Sequence, residues 1–450
     1  MLMSGFPSLY RTAAVSALVL SSVADGFPLG LFDRGNDHAS SDSHWVDIWT
    51  SMPQLTEPAN LPAPPFNGST SIFFNSTIRQ TIHSSIGADL IRIRISNAFG
   101  VDDLVITNVT VGLPFGGKAG SSAIEPKTLK TVTFDGQSGI TIPDAGLVVS
   151  DPLEFNVDPQ SMLTVSIYLE QGQQGGHITS HPGSRTTSWM TFGNQVDAAN
   201  ITGPSVQSVA HWYFLSAVEG WVSHESNGFA IIGDSITDGR GSDTDMNNRW
   251  PDLVLAKMQR NPSTSSIAVL NQAAGGNRIL HDGLGPNVIS RVDRDVLAQS
   301  GIKYAMIFEG VNDIGVANAD PVNQTLIGDR LISAYEQIAA RIHAFEIPIF
   351  AATITPFGTP ANSSVVQPYS SPVREQTRQR INAWIRTSGV FDAIVDFDEI
   401  VRDPNNPSQL APQYDSGDHL HPNVAGYQAI ADAFPLSLFS RFADGVYRLT

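Results

Sequence analysis

The amino-acid sequence predicts two regions in series: an antiparallel β-sandwich, then a doubly wound α/β domain whose parallel sheet has a flavodoxin-like three-layer α/β/α arrangement. Three observations predict this. From residue 229 onward, short apolar runs alternate with amphipathic stretches of helical period, the pattern of parallel strands joined by crossover helices. Between residues 45 and 218 the runs are short, of period two, and separated by turn clusters, the pattern of hairpin-connected strands. At the join lies NGFAIIGDSITDGR (227–240), where four apolar residues stop at Gly233 and give way to a polar, turn-prone segment.

At the N-terminus, Arg11 precedes an apolar stretch, 12–24, that has signal-peptide length and is too short to span a bilayer. Ser22 and Ala24 flank Val23 as a cleavage site requires, so residues 1–24 read as a signal peptide. Residues 25–44, polar and rich in Gly, Asp and Ser, read as a loose leader. In the accessory region, 45–218, Ile91, Ile93 and Ile95 alternate with Arg92 and Arg94, and Leu163, Val165, Ile167 and Leu169 alternate in the same way. Residues 219–228 read as a short linker. In the domain from 229 to 450, strands are predicted at 229–232, 267–270, 304–308, 347–354 and 391–397. Helices are predicted at 250–259, 287–298, 326–345, 373–387 and 424–439.

The chain carries 26 Lys+Arg against 43 Asp+Glu, a net charge of −17, and such a surface repels phosphate backbones, which argues against a nucleic-acid partner. Cysteine is absent, so disulfides, thiolate metal sites and cysteine nucleophiles are excluded. No later stretch reads as a transmembrane helix, so stable membrane insertion is not expected. Six N-x-S/T sequons, at Asn67, Asn75, Asn108, Asn200, Asn323 and Asn362, support an extracellular, glycosylated protein. It is expected to work as a monomer.

Gly233 tolerates strained backbone angles, so Ser235 can be lifted toward solvent at the carboxyl end of its strand, where a nucleophile belongs in an open α/β sheet. Acyl transfer at a serine needs a base and an anion that orients the base. Asp418 and His421, just before Pro422 and the last helix, share a face if they lie in a helical turn, which leaves the far ring nitrogen free to face Ser235. Gly275-Gly276-Asn277 and Asn312 follow strands 267–270 and 304–308, so they land on the same sheet edge. Taken singly, Gly275-Gly276 reads as a turn and Asn312-Asp313 as a loop-capping pair. His419 and His421 with Asp415 and Asp418 lack a second cluster to complete a metal site, and no metal or other cofactor is expected. Asp238 reads as a stabiliser of the turn, His419 as satisfying a local backbone group, and Glu309 as an orienting or buried, paired carboxylate.

Four blocks in order, GDS (233–235), NQAAGGNRIL (271–280), IFEGVNDIG (307–315) and DSGDHLHPN (415–423), resemble the SGNH (GDSL-type) serine hydrolases over about half the chain. That resemblance implies Ser235 as nucleophile, His421 as general base then acid, and Asp418 as its orienting partner. It implies an oxyanion hole formed by the backbone N–H of Ser235, the backbone N–H of Gly276 and the side-chain amide of Asn312. RWPD (249–252), RVDRDVL (291–297) and the preceding β-region look like the xylanase-associated esterase branch and secreted fungal acylhydrolases. The expected activity is therefore carboxylester hydrolysis through an acyl-enzyme, with acylated plant cell-wall polysaccharide as substrate. Two alternatives stay open: a lipase or phospholipase acting on lipid esters, and a carbohydrate-binding wall protein with an idle hydrolase half. Against the lipase stands the lack of a long apolar lid segment between the blocks.

Overall fold

A computed structural model describes residues 42–446; the signal-peptide reading of 1–24 and all but the last three residues of the leader fall outside the described residues. The first half is built of strands: β1 (Ser43–Thr50), β2 (Ser76–His83), β3 (Ala88–Ser96), β4 (Asn108–Gly112), β5 (Met162–Leu169), β6 (Ser188–Phe192) and β7 (Leu215–Ser223). They form two antiparallel sheets. One runs β1-β7-β3, with Leu147–Val149 and Leu153–Val157 both pairing with β3. The other runs Gln207–Val209, β6, β2, β5, β4, Lys130–Val132. The period-two pattern explains their pairing: Ile91, Ile93 and Ile95 of β3 join Leu163, Val165, Ile167 and Leu169 of β5 in one apolar core.

The second half carries a sheet of β8 (Asn227–Gly233), β9 (Ile267–Ala273), β10 (Ile302–Phe308), β11 (Ile349–Ala352) and β12 (Ala393–Val395), all neighbours parallel. Its order is β9-β8-β10-β11-β12, so strand order reverses at β8 and opens a crevice at the carboxyl ends of β8, β9 and β10. The helices include α1 (Ser235–Asp238), α2 (Trp250–Gln259), α3 (Val288–Val292), α4 (Val311–Val316), α5 (Pro321–His343), α6 (Pro372–Thr387), α7 (Val424–Ala433) and α8 (Ser437–Arg441), with a further short one at Phe397–Val401. Three differ from the pattern in the sequence. α5 starts five residues early because Asp320 caps its first amides and Pro321 occupies its first turn. α3 ends at Val292 and continues as a turn of π-helix over Asp293–Leu297. The closing helix breaks in two around Pro435, which has no N–H to continue the ladder.

Residues 219–228 are not a linker. Glu219 to Ser223 complete β7 and Asn227 opens β8, which leaves three residues for the turn. A charged side chain in a turn-prone stretch conceals the strand; Glu219 is buried between the Arg92 guanidinium and the Ser300 hydroxyl. The two halves also share β9. Ile267 and Val269 point into the core of the parallel sheet, while the alternate residues Ala268 and Leu270 belong to the antiparallel core. Ser85 Oγ donates to the Val269 carbonyl at 2.7 Å, and the Ser300 N–H donates to the Asp47 carboxylate at 2.9 Å. The described residues accordingly fall within one compact unit.

Candidate active site

β8 ends at Gly233, and the chain turns at once into α1. Asp234 accepts a hydrogen bond from the Ile236 N–H at 2.9 Å and so caps the helix that Ser235 opens. Gly233 is required here by space and not by strain. Its φ is not positive, but a Cβ would lie 2.4 Å from Thr237 Oγ1 as the turn folds back on the strand. Gly239, at φ 97°, ends the helix in the left-handed region.

The structure brings Ser235, His421 and Asp418 together. Ser235 Oγ lies 2.7 Å from His421 Nε2, and His421 Nδ1 lies 2.6 Å from Asp418 Oδ2. The 418–421 segment is not the helical turn expected from the three-residue spacing. It is an irregular bend in which Asp418 Oδ1 accepts the backbone N–H groups of Leu420 and His421, at 3.0 and 2.9 Å. The carboxylate therefore shapes the loop with one oxygen and orients the imidazole with the other. Burial disfavours its charge, yet the His421 hydrogen bond and charge and these two amides outweigh that and hold Asp418 below the ordinary carboxylate range.

Gly276 and Asn312 arrive at the same edge. Gly276, at φ +71°, turns the chain after β9, where a Cβ would meet Leu284 at 2.5 Å. Asn312 lies in the first turn of α4, after β10, and its amide donates to the Asn277 carbonyl at 2.9 Å. Tyr369 donates its hydroxyl to Asn312 Oδ1 at 3.0 Å, which fixes the amide so that its N–H₂ end faces Asn277 and its second hydrogen remains available. Arg291, fully buried, donates to the Gln272 carbonyl at 2.7 Å and to Asn277 Oδ1 at 3.1 Å, pinning this loop from beneath.

These residues open on a cleft of about 320 Å³ lined by Ser235, His421, Gly275, Gly276 and Asn312 together with Gln54, Glu57, Asn60, Pro182 and Arg185 from the antiparallel half. The sequence offered no sign of this second group, because they are single residues, all but Pro182 polar, in turns and one short strand without spacing to any motif. Gln54 and Asn60 both donate to the Glu57 carboxylate, which holds the three side chains as one polar surface.

Behind the site, Glu309 is buried and neither of its oxygens has a hydrogen-bond partner among the described residues. It is therefore not the paired carboxylate expected. Burial, and then the Asp234 charge, push its carboxyl well above the ordinary range despite Arg291. Burial raises Asp234 to about 7, against the Ile236 N–H. His419 also departs from expectation: it bridges the Asp415 carboxylate and the Ser363 hydroxyl rather than serving a backbone group. Among the described residues, no group of three or more His, Asp or Glu is placed to hold a metal ion, and no helix is long and apolar enough to cross a membrane. Of the sequons, Asn67, Asn200 and Asn362 are exposed, whereas Asn75, Asn108 and Asn323 are half-buried. Asn75 accepts the Tyr168 hydroxyl, and the Asn323 amide donates to Asp320.

A parallel sheet with a serine–histidine–aspartate chain at its switch point has the architecture of a serine hydrolase. Residues 229–434 match the family model described as GDSL-like Lipase/Acylhydrolase. Over these residues, a little under half of the chain, the protein carries a GDSL-like (SGNH) domain, of a family of hydrolases that act on esters. Among solved structures, a GDSL-like lipase from Bacteroides thetaiotaomicron is 17% identical and covers 46% of this chain and 85% of its own, with a TM-score of 0.32. An acetyl xylan esterase is 17% identical and covers 48% of this chain and 98% of its own, with a TM-score of 0.33. No curated protein matches the chain.

Proposed function

We propose that this protein is a secreted serine carboxylester hydrolase that removes small acyl groups from a hydroxyl-rich alcohol, such as acylated cell-wall polysaccharide. The observation that carries the chemistry is the hydrogen-bonded chain from Ser235 through His421 to Asp418, at 2.7 and 2.6 Å. Ser235 Oγ attacks the acyl carbonyl while His421 Nε2 takes its proton, and Asp418 steadies the imidazolium through Nδ1–H. The oxyanion is received by the N–H groups of Ser235 and Gly276 and the amide of Asn312. His421 then returns the proton to the leaving alcohol, and water, activated by the same imidazole, releases the acyl group and restores Ser235.

The substrate class rests on the cleft wall. Gln54, Glu57, Asn60, Arg185 and Arg240 line it with donors and acceptors suited to sugar hydroxyls, while Leu284, Leu420, Pro182 and Tyr369 supply limited apolar surface for an acyl group. In this reading the two antiparallel sheets act as a sandwich-like accessory region that walls the substrate cleft. Secretion and glycosylation rest on residues 12–24 and the exposed sequons. The test is covalent labelling. An organophosphonate labels Ser235, and Ser235→Ala folds normally while losing activity on a chromogenic acetate ester by on the order of 10⁴-fold or more. Labelling at another serine, or an active variant, ends the assignment. Acetate release from acetylated xylan, compared with hydrolysis of long-chain lipid esters, tests the substrate class.

A further inference from the structure

Beside the Ser235–His421–Asp418 chain lies a second histidine–carboxylate couple, whose members come from different halves of the molecule. His181 ends the short antiparallel strand Thr179–His181, and Asp238 is the last residue of α1, the four-residue helix that Ser235 opens. His181 Nε2 lies 2.9 Å from Asp238 Oδ1, and the side chains are 3% and 2% exposed. The imidazole is held on its other sides as well. Nδ1 faces the Met52 carbonyl at 3.0 Å, and the ring stacks on Trp212 with centroids 5.7 Å apart. A carbonyl can only accept, so Nδ1 carries a hydrogen, and a further hydrogen lies between Nε2 and Oδ1.

The rest of the carboxylate is wedged in place. Oδ2 has no hydrogen-bond partner among the described residues. It occupies the place a Cβ at Gly183 would take, 1.6 Å from it, and lies 3.7 Å from the Cβ position at Gly275. Asp238 thus sits between the 181–183 turn and the loop that carries Gly276, and it lines the cleft with Ser235. A buried carboxylate with one unpaired oxygen is costly, and a structural ion pair gains nothing from that placement. α1 itself is a single turn and cannot set its own orientation. Two of its tethers come from its own half: Trp250 Nε1 donates to Thr237 Oγ1 at 3.2 Å, and the Asn271 amide to the Thr237 carbonyl at 3.0 Å. The His181–Asp238 contact is a third, supplied across the boundary.

We infer that His181 is a positioning residue for ester hydrolysis: acting through Asp238, it fixes α1 and so places Ser235 against the oxyanion donors. This rests on the proposed function. The antiparallel half thereby enters the chemical step without touching substrate at this residue.

The test uses the full chain and four variants, His181→Ala, His181→Gln, Asp238→Asn and the double variant His181→Ala/Asp238→Asn. It measures the phosphonylation rate of Ser235, kcat and KM on a small acetate ester, and Tm. Misplacing a nucleophile by about 1 Å costs roughly 10²-fold. His181→Ala and Asp238→Asn should each slow phosphonylation and kcat by about 10–100-fold with KM changed less than about threefold. The double variant should be no worse than the worse single, the sign that both act through one contact. His181→Gln, whose amide can still donate to Asp238, should recover much of the rate. Losses that multiply in the double variant overturn the inference, as does a wild-type phosphonylation rate in either single. If His181→Ala does not fold, His181→Gln and Asp238→Asn decide: the inference stands if Asp238→Asn is slowed and His181→Gln less so, and falls if neither is slowed. Failure of wild-type Ser235 to label refutes the proposed function, whereas normal labelling at unchanged rates in the variants refutes this inference alone.

Discussion

In the parallel-sheet half, each residue proposed for chemistry sits in a segment that follows a strand: Ser235 after β8, Gly276 after β9 and Asn312 after β10, with His421 and Asp418 on the loop before α7. In the antiparallel half, the residues that reach the cleft, Gln54, Glu57, Asn60 and Arg185, come from turns and a short edge strand. The difference follows from sheet geometry. A parallel sheet sends all its strands out at one edge, so a switch point gathers several backbone-fixed groups within bonding reach. An antiparallel sheet spreads its turns over both ends and can offer a wall of polar side chains, held here by contacts such as those around Glu57. One half is therefore suited to placing reacting atoms and the other to recognising what is attached to them.

Substitutions can break or sharpen that division. In the parallel half, Asp418→Asn should lower kcat/KM by about 10⁴-fold on every ester, because the imidazole loses its orienting anion. Since Asp418 is held below the ordinary carboxylate range, the wild-type profile should rise with pH through one ionisation and show no loss of the Asp418 charge above about pH 4, which a pH–rate measurement on the acetate ester checks. Asn312→Ala should cost about 10²–10³-fold in kcat, again regardless of the alcohol.

The antiparallel half should respond differently. Glu57→Ala or Arg185→Ala should lower kcat/KM on an acylated polysaccharide by about 10–100-fold, about the value of one hydrogen bond to a charged group, and leave a small acetate ester nearly untouched. Equal losses on both substrates would dissolve the division of labour.

The smallest effect concerns the seam. Burial raises the Asp47 carboxyl to about 7, against the nearby Arg94 charge. The unfolded carboxyl titrates near ~3.9, so the protonated group stabilises the fold fully below about pH 4, and that contribution is lost as pH rises toward 7. Asp47→Asn keeps an acceptor for the Ser300 N–H and removes the charge. The Tm of the variant minus that of wild type should shift in the variant's favour by on the order of a few degrees between pH 4 and pH 7. A flat difference would show that Asp47 stays ionised across the seam.

How much of this was legible before folding depended on whether a residue's role is local. The run 229–232 is apolar and bounded by glycine, and it became β8 with Ser235 just beyond it. Spacing placed Asp418 beside His421 but mistook the turn, because an aspartate that accepts two backbone amides competes with a helix, and only the bend shows which won. Glu219 read as linker because charge marks solvent unless a partner is known, and its partners, Arg92 and Ser300, lie far away in the chain.

By itself the sequence determined the two strand grammars, the four blocks in order and the identity of the groups that meet at Ser235. Those are properties of period and of short range, which one chain carries in its own pattern. The tertiary structure alone decided that β9 serves two cores, that Glu57 and Arg185 face the cleft, that Tyr369 orients Asn312, and that His181 meets Asp238 from 57 residues away. Each of these is a contact between single residues of ordinary type, and its meaning arises when packing brings together segments that no periodicity relates.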